Sequence, residues 1–164
     1  MDDQTTRRSW LLPPASGVFD GMDLSLLDPA DEDDRRVLIL SEHPELAQAL
    51  DSDQEEGKLE EGEMNPRMHI AVHEIVANRI WDDNPPQMWQ TAQRLTHAGY
   101  ERHEVLHMLA NVVSSELYDA LTGNKSYDIQ DNREALAALP SSWEPLRTAP
   151  NRAVRRAQAR APRR

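Results

Sequence analysis

Apolar positions along the chain recur at helical spacing, and prolines and glycines divide them into segments. The best-delimited segment opens at Asn65-Pro66, a capping residue followed by proline at the first helical position. It predicts a helix over about 66–81. "DDNPP" ends that helix, and Asn84-Pro85-Pro86 opens a second one that closes at Gly99. A third runs from about Glu101 to Leu121 and stops near Gly123. A short fourth, "DNREALAALP", precedes Pro140. Upstream, "DPADEDDRRVLILSEHPELAQAL" also reads as helix. Asp28 is placed to cap it, acids crowd its N-terminal end, and Pro44 imposes a break or kink within it.

No run alternates with period two, and Val and Ile concentrate in the helical segments, so the expected fold class is all-α. The architecture it suggests is a small helical bundle with an acidic N-terminal extension and a basic C-terminal tail. Residues 1–27 mix Pro, Gly and polar residues and read as an irregular N-terminal segment. The helical domain spans 28–145 and includes an acidic, Gly-containing linker at 51–63. Residues 146–164 read as a disordered Arg-rich tail.

Composition narrows the function classes. Only 38% of the 164 residues are hydrophobic and mean hydropathy is −0.74, which fits a core of about 100 residues with polar flanks. The absence of cysteine excludes disulfides, thiolate ligands and a cysteine nucleophile. The first 64 residues carry 18 acids against 5 bases, and the last 19 carry 7 arginines and no acid. An acidic body repels phosphates, so nucleic acid is not an expected partner, apart from weak contact by the tail. No apolar run approaches the ~20 residues that span a bilayer, and the N-terminus lacks a signal-peptide pattern. The expected compartment is therefore the cytoplasm.

The chemistry lies in two histidine pairs. His69 and His73 fall four apart on one helix, as do His103 and His107 on another, so each pair projects to one side of its helix. Val76 and Ile80 continue the first stripe, and Ala110 and Leu117 the second, so both His faces point to a core. If these faces meet, four imidazoles converge as ligands for a divalent metal, zinc first and iron as the alternative. The plainer reading is four hydrogen-bonded core histidines.

"HEVLH" also matches H-E-x-x-H, the zinc-peptidase signature, in which His103 and His107 would ligate zinc and Glu104 would activate water. The extended form of that signature needs Gly and His where this chain has Ala110 and Val113. Glu116 lies well around the helix from His107, and no strand is expected to hold a peptide substrate. A metal-dependent hydrolase and a metal-free interaction module stand as alternatives to a metal-binding protein.

"SEHPEL", "NPRMHIAVHEIVANRIW" and "YERHEVLHMLANVVSSELYDAL" resemble the bacterial domain-of-unknown-function family 1841 in their order and spacing. The resemblance covers about residues 38–140. It implies a small helical domain, brings no activity, and points to His43, His69, His73, His103, Glu104 and His107. His43 gains its place only from this resemblance; as a residue preceding a proline it reads as a helix end. His97, near the end of the second helix, reads as surface.

Overall fold

A computed structural model of the chain describes residues 3–51, 63–123, 126–143 and 147–148. The acidic stretch 52–62 and the arginine-rich residues from 149 onward lie outside the described residues. Among those described there are seven helices: α1 (Asp3–Leu11), α2 (Glu32–Ser41), α3 (Pro44–Asp51), α4 (Pro66–Asp82), α5 (Pro86–His97), α6 (Arg102–Thr122) and α7 (Ile129–Ala138). Strand content is limited to a short antiparallel hairpin, β1 (Val18–Phe19) with β2 (Met22–Asp23), and a parallel pair, β3 (Glu63–Met64) with β4 (Arg147–Thr148). The fold is mostly helical, and no described helix is long and apolar enough to cross a membrane.

Local signals account for most boundaries. Asn65 accepts a hydrogen bond from the Arg67 amide and caps α4, whose end is turned by Asp83 in the left-handed region. Gly123 takes that conformation after α6 at no steric cost. In α2 the cap is Asp31 rather than Asp28. The Asp31 carboxylate accepts from the Asp33 and Asp34 amides, and Asp28 instead caps the turn that leads in. The break expected near Pro44 is complete: α2 stops at Ser41, and α3 starts again at Pro44.

The principal correction concerns the first residues. Asp3–Leu11 form a helix where the composition reads as irregular. Its docking is mostly charged and aromatic, which is why hydrophobic spacing does not reveal it. Asp3 accepts from the Trp89 indole at 3.2 Å, and Arg7 pairs with Asp83 at 3.4 Å. Trp10 meets Trp89 edge-on at 5.5 Å. Arg8 lies 4.2 Å over the Trp81 ring, and Arg35 lies 4.8 Å from the same ring. Leu11 then enters the core at 2% exposure. Trp81 and Trp89 thus pack the α4–α5 corner, as their positions suggest, and hold α1 against it.

Two registers place the functional residues. α4 and α6 run parallel: Arg79 pairs with Glu116 at 2.8 Å toward one end, and His69 and His73 meet His103 and His107 toward the other. α2 runs antiparallel to α4, with Arg35 bonded to Asn78 and Arg36 paired with Glu74. Following that register, the second residue past α2's end arrives beside the first two turns of α4. That residue is His43. Between the helices Val72, Val76, Ile80, Val105, Leu109 and Val113 form a fully buried apolar layer.

If α1 is part of this core, Leu11→Ala should cost about 2–5 kcal/mol, read as a lower urea midpoint. An unchanged midpoint would show that α1 does not dock.

Candidate metal centre

Three helix starts converge at one end of the bundle. His43 directly precedes α3, His69 and His73 lie in the first two turns of α4, and His103 and His107 in the first two turns of α6. The i,i+4 spacing stacks each pair, and the parallel register sets one pair against the other. One donor nitrogen from each of His43, His69, His73 and His107 falls in a group whose members all lie within 4.8 Å of one another. His43, His69 and His73 are only 3–4% exposed.

The ring positions can be compared with a bound ion. Two imidazoles held at ~2.0–2.1 Å from one zinc at a tetrahedral angle have centroids about 5.2 Å apart. The separations among His43, His69, His73 and His107 run from 4.7 to 5.7 Å. Donor nitrogens around such an ion would be about 3.4 Å apart, so small side-chain rotations bring these four into range. A second sign is unmet hydrogen bonding: Nε2 of His73 and Nε2 of His107 are buried and have no hydrogen-bond partner among the described residues. A buried polar atom left this way costs roughly 1–3 kcal/mol, which a metal bond removes. The residues present therefore fit a divalent ion with imidazole donors.

Burial keeps His43, His69, His73 and His107 neutral. It pushes His43 down to about 4, with His103 and His107 adding to the effect. It likewise pushes His69 to about 4, with His43 next in weight, and His107 to about 4, with His103 next. His73 is driven lowest, by burial first and then by His43 and His69. Neutral imidazole is the form that binds metal.

His103 is the outermost member. Its ring is 4.5 Å from His107 and 4.8 Å from His43, its side chain is 36% exposed, and its Nδ1 lies 3.5 Å from Glu42. Burial alone would raise the Glu42 carboxyl, but its bond to His103 and the Arg102 charge outweigh that and hold it below the usual range. Arg102 bonds Glu42 and also donates to the Leu11 carbonyl at 3.0 Å, tying α1, the α2–α3 junction and α6 together. Glu45 stands 3.6 Å from His43 Nδ1. The positive ends of α3, α4 and α6 would oppose a cation here, and these two carboxylates supply compensating charge.

Of the residues singled out from sequence, His69, His73 and His107 join the tight group and His103 lies at its edge. Glu104 is half-buried and is not among the groups that converge. Glu74, next to His73 in sequence, is paired to Arg36 at 3.2 Å on the α2 side. His97 is exposed and bonded to the Gln93 carbonyl. Glu42 and Arg102 lie inside the segments that resemble the family but are not among the residues singled out there; the α2–α4 register and the start of α6 bring them to the cluster.

Chelator-treated protein should lose stability as pH falls from 6.5 toward 4, because the unfolded chain takes up protons there that the folded imidazoles refuse. Above 6.5 these groups add no slope. Urea midpoints across that window check it, and the slope should shrink in a His69→Ala/His73→Ala double variant. An equal slope in that variant would contradict a buried neutral cluster.

Comparison with curated proteins and with solved structures finds no match to this chain. A sequence model of one family does match, over residues 25–138, which include all five clustered histidines. The chain therefore belongs to the family described as domain of unknown function DUF1841.

Proposed function

We propose that this chain is a metal-binding protein. Its helical core holds one divalent transition-metal ion on His43, His69, His73 and His107. The observation that carries this reading is the meeting of four imidazoles from three helical segments, two of them with buried Nε2 atoms that bond to nothing among the described residues. Hydrogen-bonded core histidines would show partners for those atoms. Zinc and iron both accept such donors. A bound ion would tie the α2–α3 junction to α4 and α6, and so stabilise the end of the bundle where three chain segments begin.

The peptidase reading of "HEVLH" gains nothing from the geometry. Its zinc would need His103 and His107 as the principal ligands, with Glu104 beside them. Instead, His107 groups with histidines from two other segments, and Glu104 lies outside that group.

Elemental analysis of the purified, untagged protein should find close to one zinc or iron per chain. His73→Ala and His107→Ala should each reduce it sharply, and the double variant should do little worse than either, because both residues serve one site. Glu104→Gln should keep the full content. Equal metal in wild type and all three histidine variants would contradict the shared site.

A further inference from the structure

The fifth imidazole has no place in a closed four-ligand site, yet it is held against the cluster with care. His69 contacts His43, His73 and His107 at 4.8, 4.9 and 5.4 Å between centroids. His103 contacts the same three rings at 4.8, 6.0 and 4.5 Å. Two rings that cap one triangle have the connectivity of a five-coordinate arrangement. Here the His43–His73–His107 triangle has sides of 4.7, 4.9 and 5.7 Å. It would open, and His103 would move inward on His73, when an ion binds. For imidazoles about one ion, that arrangement places neighbours about 4.5 Å apart at right angles and about 5.5 Å apart within the triangle.

The orientation of His103 points the same way. A ligating histidine characteristically turns its outer N–H to a carboxylate, which fixes the ring and aims the other nitrogen at the metal. His103 has this partner: Nδ1 faces Glu42, and Glu42 is itself braced by Arg102. Exposure separates it from three of the others. His43, His69 and His73 are almost wholly enclosed, whereas the His103 side chain is 36% exposed. A closed structural zinc site would need neither a fifth imidazole nor a carboxylate to aim it.

We propose that His103 is the fifth ligand of the ion, aimed by Glu42 and displaceable at the solvent edge. The centre is then a five-coordinate, iron- or nickel-class site at which a small outside donor, such as imidazole or azide, reaches the metal by taking the His103 position. This rests on the metal-centre reading above, and the test keeps the two apart.

The probe is cobalt(II), loaded into chelator-treated full-length protein and followed by visible absorption. Wild type should bind one ion per chain with the weak bands of five-coordinate cobalt. His103→Ala should still bind one ion but show the intense bands of tetrahedral cobalt, and added free imidazole should restore the weak spectrum. Glu42→Gln should lower cobalt affinity about 10–100-fold; His103→Ala/Glu42→Gln should bind no more weakly than His103→Ala, a dependence that a merely structural carboxylate would not show. Far-UV circular dichroism verifies that each variant is folded. An intense tetrahedral spectrum in wild type, unchanged by His103→Ala, would overturn the five-coordinate site and leave the four-histidine site standing. No cobalt uptake by wild type would overturn both.

Discussion

Packing imidazoles side by side, with Nε2 of His73 and Nε2 of His107 given no hydrogen-bond partner among the described residues, is the constraint on which the histidine end of the molecule depends. Each ring brings a donor and an acceptor that water would satisfy, and burial, with the neighbouring imidazoles adding to it, keeps His43, His69, His73 and His107 from solving the problem by protonation. The folded chain accepts that cost at one end of the bundle while its centre is apolar and closely filled by Val72, Val76, Ile80, Val105, Leu109 and Val113. A protein that selected only for stability would fill the same space with aliphatic side chains. The cluster is therefore the part of the fold that calls for a function, and the proposed metal would turn Nε2 of His73 and Nε2 of His107 into favourable bonds.

The scaffold delivers these rings by register rather than by local motif. Two parallel helices with matching i,i+4 pairs supply four of them, fixed at the far end by Arg79 and Glu116. The fifth comes from a helix break. α2 descends antiparallel along α4, pinned by Arg35 to Asn78 and Arg36 to Glu74, and ends where His43 must meet His69 and His73. Pro44 lets α3 start again at once and leaves His43 at the junction. Arg102 then fastens the junction to α6 through Glu42 and to α1 through the Leu11 carbonyl. The ligand geometry thus depends on contacts made well away from the histidines themselves.

Much of this could be read along the chain, because proline, asparagine and glycine mark helix ends by local physics. The starts of α4 and α5, the end of α6 and the common face of each histidine pair all followed from spacing, whereas the meeting of the two pairs was a condition that spacing left open. What escaped depended on tertiary contact. The α1 helix is held by a stacked arginine, a buried indole bond and a single leucine, a combination without a hydrophobic period. His43 looks like an ordinary helix end until the antiparallel register of α2 on α4 is known, and only the family resemblance singled it out. Glu42 and Arg102 stand in segments that resemble the family, yet their part comes from where α2 ends and α6 begins. The zinc-peptidase signature shows the opposite case, in which a local match in "HEVLH" describes two of the cluster's rings but assigns Glu104 a place that the tertiary structure does not give it.

The most direct test of the account is a crystal of the protein as purified, with diffraction collected at the absorption edge of its metal. The account predicts one strong anomalous peak enclosed by His43, His69, His73 and His107, with imidazole nitrogens at ~2.0–2.1 Å. Ordered histidines in that position with no anomalous density among them, or a peak confined to surface groups such as His97, would contradict it.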